Sequence, residues 1–239
     1  MDINNFPEPQ RVLVVSAHPD DPDFGAAGTV ACWTKAKANV TYLIVTDGSK
    51  GSSDPEMTSE KLVSIRQEEQ KAAAKVVGAK QVEFLGYPDG GTYNTPELRH
   101  DLTLQIRKHR PDLVITHDPT TRFFENRFLN HPDHRAVGDT LLDVVYPIAR
   151  DRLNYPEHEE QGFQPHKVLD VFLTGSNEPN MWVDISDTMD LKIEALRQHK
   201  SQFDDMDALE KRVRDFSRQR ATKVSFEYAE VFRRVQLPR

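Results

Sequence analysis

Only one cysteine, Cys32, occurs among the 239 residues, so no disulfide can form within the chain. That excludes a secreted scaffold held together by its own bridges and fits a reducing compartment. Cys32 lies in AAGTVACW (residues 26–33), where it reads as a small buried hydrophobe. No run of about 18 apolar residues is present, which excludes a membrane-spanning helix. The opening MDINNFPEPQR lacks the basic-then-apolar order of a signal peptide. Positive charge is in short supply: 31 Lys and Arg against 38 Asp and Glu leave a net charge of −7. This argues against a nucleic-acid partner, because phosphate affinity needs clustered cations. G-x-G-x-x-G and G-x-x-x-x-G-K-[ST] are both missing, and the acidic turn after the first strand would repel a pyrophosphate. A nucleotide-binding module without catalysis is therefore disfavoured. The expectation is a cytoplasmic enzyme acting on a small molecule.

What is present is ordinary globular composition, 37 % hydrophobic and 29 % charged, in an alternating order of elements. RVLVVSA (residues 11–17), VTYLIVT (40–46), VEFL (82–85) and DLVITH (112–117) read as strands. Residues 24–38, a segment capped by Thr58 or Ser59 and running to Val77, residues 95–110 and residues 136–148 read as helices. Gly78 and Pro111 are the stops. Strand–helix alternation implies right-handed crossovers and a parallel sheet covered on both faces. Beyond residue 150 the pattern loosens into strands at 168–175 and 181–186 and charged helices at 187–203 and 205–220. The expected fold is α/β: a Rossmann-like, mostly parallel sheet with helices on both faces and a C-terminal α/β extension. Residues 1–239 read as one domain, with a core at about 11–150 and the extension at about 151–239.

Ligands of such sheets bind beyond the carboxyl ends of the strands, where strand order reverses. The first strand runs into AHPDDPDFG (residues 17–25) and the fourth into THDPTTRFFENRFLNHPDH (116–134). His18 and Asp21, and His131 and His134, each stand three residues apart in a turn. A catalytic zinc takes three protein ligands and keeps a fourth position open. The two turns hold more donors than that, so some are free for proton transfer. Either turn alone reads equally well as a helix cap; two of them after two strands of one sheet favour a metal site.

These motifs resemble the LmbE-like, or PIG-L, family of zinc-dependent N-deacetylases. AHPDDPDFGAAGT (residues 17–29), VTDG (45–48), RQEE (66–69) and HPDH (131–134) occur in family order. The C-terminal third matches loosely. The resemblance implies His18, Asp21 and His134 as ligands of one zinc per chain, with Asp20 as general base. It implies His131 as the histidine assisting the transition state, Asp133 as its orienting partner, and Arg66 and Asp89 as substrate-binding residues. Removal of an N-acyl group, most simply acetyl, from an amino sugar or N-acetylglucosaminyl conjugate follows, with Asp20 or His131 protonating the leaving nitrogen. Two histidines and one aspartate also suit iron(II). Pro22 stands where the family usually has Glu, which predicts the loss of one supporting hydrogen bond.

Other readings remain. Clustered His and Asp also serve metal-dependent phosphoesterases, usually with two metals. An amidase of a thiol–sugar conjugate and a catalytically inactive sugar-binding relative are further alternatives. Glu69 falls within the apolar stripe of Leu62, Ile65, Ala72 and Val76, three residues from Arg66. It either pairs with Arg66 to brace the sheet or aims Arg66 at substrate. His117 reads as an orienting or structural residue. His100, His109, His158, His166 and His199 read as solvated. Phe123, Phe124 and Phe128 suit a pocket wall and a homo-oligomer contact equally.

Overall fold

The structure, a computed structural model, describes residues 6–124 and 126–238. The signal-peptide reading falls partly on residues 1–5, outside the described residues. Among the described residues, nine strands and seven helices follow one another: β1 Arg11–Ser16, α1 Asp21–Lys35, β2 Asn39–Thr46, α2 Ser59–Val76, β3 Gln81–Tyr87, α3 Pro96–His109 and β4 Leu113–His117. The chain continues through β5 Phe123–Phe124, β6 Phe128–Leu129, α4 Pro132–Val145 and α5 Glu157–Glu160 to β7 Asp170–Thr174 and β8 Met181–Asp184. It ends with α6 Met189–Leu196, α7 Met206–Ala221 and β9 Ala229–Gln236.

Seven strands form one sheet in the order β3-β2-β1-β4-β7-β9-β8, with β5 and β6 pairing apart from it. Neighbours from β3 to β7 run parallel, while β9 is antiparallel to β7 and β8. The continuous apolar runs of β1, β2 and β4 suit a sheet with both faces covered. Alternation along β1 shows this directly. Val12 and Val14 join Trp33, Tyr42 and Phe172 on one face, and Leu13 and Val15 join Leu102, Ile106 and Leu141 on the other. Among the described residues, no helix is long and apolar enough to cross a membrane.

Two helices begin earlier than the sequence pattern indicates. Each has a proline in its first turn, Pro22 in α1 and Pro132 in α4. There the missing N–H is one the helix would leave unpaired anyway, and the fixed φ suits the helix. α2 and α3 start where expected, at Thr58 and Thr95, whose hydroxyls accept from Lys61 N and Leu98 N. The helix expected at residues 187–203 is shorter: a 3-10 turn at Ser186–Thr188 precedes α6, which ends at Leu196.

β9 was not anticipated, because Glu230, Arg233 and Arg234 interrupt its apolar pattern. Its charges are paired instead. Glu230 is fully buried against Lys192 Nζ at 2.6 Å and accepts from Gly28 N and Thr29 N of α1. Arg234 donates to Asp170 at 2.7 Å and Arg233 pairs with Glu178 at 3.2 Å. Such partners let charged side chains enter the sheet, where a buried charge left unpaired would be costly.

Candidate metal centre

Strand order reverses between β1 and β4, so the segments leaving these strands diverge and open a crevice at their carboxyl ends. His18, Asp20 and Asp21 leave β1. His117 closes β4, and His131, Asp133 and His134 form the first turn of α4. Asp89 follows β3.

Asp20 stands at φ 90°, a left-handed conformation that is costly for a non-glycine residue. Its main chain is held at both ends: Asp20 N donates to Gln70 Oε1 at 2.8 Å, and its carbonyl accepts the first helical N–H of α1, from Asp23, at 2.9 Å. This turn sends two consecutive carboxylates to different neighbours. Asp20 faces Arg66 Nη2 at 3.5 Å. Asp21 faces three imidazoles, with His134 Nε2 at 3.1 Å, His18 Nδ1 at 3.3 Å and His117 Nε2 at 3.5 Å.

The outer hydrogen bonds fix the ring tautomers. Asn130 Nδ2 donates to Thr121 O at 2.8 Å, so its Oδ1 is the atom 3.1 Å from His134 Nδ1. His134 Nδ1 must then carry the proton, and Nε2 presents a lone pair to Asp21. His18 Nε2 lies 3.2 Å from both Asp89 Oδ1 and Asp133 Oδ2, which only accept. Nε2 is therefore the N–H, and Nδ1 faces Asp21. With their outer nitrogens held by acceptors, both imidazoles turn their inner nitrogens to Asp21, where His18 donates to the carboxylate as an imidazolium and, once deprotonated, would offer a lone pair to a cation. Donors around a tetrahedral zinc stand roughly 3.3–3.5 Å apart, given bonds of about 2.0–2.2 Å. His134 Nε2 stands 3.1 Å from Asp21 Oδ1, a little closer than that, and His18 Nδ1 stands 3.3 Å from Asp21 Oδ2. The donors overlap in two groups that share His134, each with its atoms within 4.8 Å of one another: Asp21, His117 and His134, and His18, His131 and His134. His117 Nε2 already accepts from Ala17 N at 3.0 Å, and its ring stacks on His134 with centroids 4.1 Å apart. That geometry suits a residue that orients His134 and Asp21.

Electrostatics sort the carboxylates. Burial, then the charge of Asp21, pushes Asp20 up to about 7 against the pull of Arg66. Burial acts on Asp21 in the same direction, but His134 and His117 hold it well below the usual carboxylate range. For His18, burial is outweighed by hydrogen bonds to Asp133, Asp21 and Asp89, which push the imidazole up to about 12. Burial and the neighbouring His18 and His134 lower His131. Each shift follows from the balance of desolvation against nearby charge.

Several expectations need relocating. The Asp133 carboxylate bonds His18, Gly90 N and Thr92 N. It stands 3.9 Å from His131 Nδ1, which instead accepts from Asp133 N at 3.2 Å. Asp89 is buried, with one oxygen on His18 and the other accepting from Lys50 N. Arg66 does not pair with Glu69. Its guanidinium donates to Pro19 O at 2.7 Å and Gly48 O at 3.0 Å, beneath the turn that carries Asp20. Glu69 instead takes Ser201 N and Oγ, each at 2.7 Å. His158 and His199 are fully buried rather than solvated, and Cys32 is half-buried. Pro22 occupies the first turn of α1, where its missing N–H would be unpaired anyway.

Gln70 and Asp23 carry no role in the sequence reading, and His199 reads there as solvated. All three are fully buried. Gln70 links Asp20 N to Asp23 Oδ2, and His199 Nε2 meets the same oxygen at 2.9 Å. The signal for Gln70 was its spacing, four residues after Arg66 on one helix face. His199 offered none, because only the fold brings α6 against α1.

A cleft of about 800 Å³ opens from this centre. Asp21, His117 and His134 line one end, and Phe124 and Phe128 form part of its wall. Its size is that of a small-molecule site.

Comparison with known proteins agrees with this architecture. The profile of the GlcNAc-PI de-N-acetylase (PIG-L) family matches residues 13–145. The diacetylchitobiose deacetylase of Thermococcus kodakarensis is 35 % identical over 83 % of this chain and 72 % of its own. A probable N-acetyl-alpha-D-glucosaminyl L-malate deacetylase 2 of Bacillus anthracis is 30 % identical over 81 % of this chain and 82 % of its own. The structure of N,N'-diacetylchitobiose deacetylase from Pyrococcus horikoshii superposes with a TM-score of 0.90 at 31 % identity, covering 99 % of this chain and 88 % of that one. A His/Asp cluster able to hold a metal, at the switch point of a mostly parallel sheet, is a setting that suits metal-assisted hydrolysis. This chain belongs to the GlcNAc-PI de-N-acetylase (PIG-L) family of hydrolases.

Proposed function

We propose that the chain is an N-deacetylase of N-acetyl amino sugars or their conjugates, dependent on one divalent ion held by His18, Asp21 and His134. The observation that carries this reading is the facing of His18 Nδ1 and His134 Nε2 toward Asp21, each with its other nitrogen committed to an acceptor. Zinc is the ion that best suits two imidazoles and one carboxylate in a tetrahedral set, with iron(II) the second candidate. An ion bound there supplies water activation and carbonyl polarisation.

The chain's own groups then divide the proton work. Asp20, raised toward neutrality and turned away from the ligands, accepts the proton of the attacking water. Arg66 acts as a positioning residue that fixes the Asp20 turn from below. His131 is the most open of the site imidazoles, with 42 % of its side chain exposed. Because its Nδ1 accepts from Asp133 N, its Nε2 is left as the N–H donor. That donor serves the tetrahedral oxyanion, and the leaving nitrogen takes its proton from His131 or from Asp20. Asp89 and Asp133 hold His18 in its working tautomer. Residues 1–239 work as one domain in this reading, since C-terminal residues brace the site, and the chain acts on a small molecule in the cytoplasm.

General acid–base assistance is worth about 10²–10⁴-fold. Asp20→Asn is therefore expected to lose at least about 10²-fold in kcat while its metal content equals that of the native chain. Loss of the metal together with the activity would make Asp20 a ligand and refute its role as base.

A further inference from the structure

A second group of metal-type donors lies outside the cleft, where the connection between α4 and β7 folds back on α3. His100 and Arg107 stand two turns apart on one face of α3. Arg107 is fully buried and gathers the carbonyls of Ala149, Asp151, Asn154 and Tyr155. Those bonds fix the connection, and the turn through Tyr155, at φ 51°, brings Glu157 and His158 of α5 to His100.

Outer contacts again sort the ring nitrogens. His100 Nδ1 lies 3.0 Å from Asp101 Oδ1, and the other Asp101 oxygen accepts from Tyr87 Oη at 2.8 Å. A carboxylate only accepts, so His100 Nδ1 is the N–H and Nε2 of the neutral ring carries a lone pair. A carboxylate placed behind a histidine in this way is the usual support of a metal ligand. His158 Nε2 lies 3.1 Å from His100 Nε2, and Glu157 Oε1 lies 3.7 Å from it. All three atoms are within 4.8 Å of one another. Burial, then the nearby His100 and Arg107, holds the His158 imidazole below its usual range. His158 is fully buried, and its Nδ1 has no hydrogen-bond partner among the described residues. A single N–H···N bond accounts for the two rings but gives Glu157 no part. Two imidazoles and a carboxylate, open to water on one side, are a donor set for zinc. The donor spacing of a tetrahedral zinc, roughly 3.3–3.5 Å, falls between the two separations, and Glu157 is exposed and free to close the difference.

We propose that His100, Glu157 and His158 form a second zinc site, distinct from the centre at Asp21, in which the ion clasps α5 to α3. With three protein donors at the surface it is the weaker of the two, filling when free zinc is raised and emptying on dialysis against metal-free buffer.

The test is equilibrium dialysis of the full chain against zinc chloride, followed by elemental analysis. Free zinc at about 100 μM occupies any site with a Kd of about 10 μM or tighter. The native chain is expected to hold about two ions there, and His100→Ala about one. Glu157→Ala should weaken the second ion at least about ten-fold, since loss of a ligand costs no less than loss of its outer support. Glu157 is exposed, so its variant carries the test should His100→Ala fail to fold. With the Asp21 centre already filled, added zinc should still raise the thermal midpoint of the native chain and leave that of His100→Ala unmoved. No second ion at this concentration, or one that persists undiminished in both variants, would overturn the clasp. An ion lost in His100→Ala but kept in the native chain and in His134→Ala, with none bound at Asp21, would leave the clasp standing and count against the proposed centre instead.

Discussion

Asp20 and Asp21 are neighbours in the chain, yet one carboxylate meets Arg66 and the other meets three imidazoles. The positive φ of Asp20 makes this separation possible, and the bonds from Gln70 and α1 maintain it. The types of residue in this site were legible in the sequence: the two His/Asp turns could be found by spacing alone. Their hydrogen-bond partners were not, because tautomers are set by residues far away in the chain. Asn130 is the clearest case. It precedes the HPDH turn and looks like a loop residue, yet it fixes which nitrogen of His134 carries the proton. Asn130→Ala removes that constraint while leaving every proposed ligand in place. Metal affinity, measured by competition with a chromophoric chelator, is expected to fall about 10–100-fold. An unchanged affinity would mean that the outer bond does not tune the ligand.

At the scale of elements, the site depends on how closely α4 approaches β4. Gly138, two turns into α4 and fully buried within it, lies against the carbonyl of His117, and a Cβ at this position would collide with that oxygen. The opposing atom is backbone at the end of a central strand, which cannot rotate aside. Gly138→Ala must therefore push α4 outward and carry His131 and His134 with it. A cost on the order of 1–3 kcal/mol is expected, read as a lower midpoint in denaturant, together with weaker metal binding. Stability and metal affinity both at native values would show that α4 tolerates the shift. Elements with clean apolar periods, such as β1, β2, β4, α2 and α3, were legible in the sequence nearly to the residue. The helices opening on Pro22 and Pro132 begin three to four residues before their apolar pattern does, because their first turns are made of Pro, Asp and His. β9 was missed because tertiary pairing, not its own pattern, neutralises its charges.

Across the whole molecule, the C-terminal third is not separable from the centre it follows. β7, β9 and β8 extend the sheet that carries β1 and β4. The buried Lys192 and Glu230 pair ties α6 and β9 to α1, with Lys192 also donating to Asp23 O and Phe24 O. His199 and Ser201 reach Asp23 and Glu69 on the two helices flanking the Asp20 turn. The sequence resemblance was weakest in this region because its contribution is support through paired polar groups, which have no short motif. The same region also lines the cleft that opens from the centre.

The proposed metal centre, cleaving an N-acyl bond, is open to one direct test. Elemental analysis of the native chain, paired with detection of free amine released from a panel of N-acetyl amino sugars, tests it most directly. The prediction is about one zinc or iron ion per chain, with amine release that is lost on chelation and restored by returning the metal. A correctly folded chain that takes up no metal, or that releases amine equally well without it, would contradict the account.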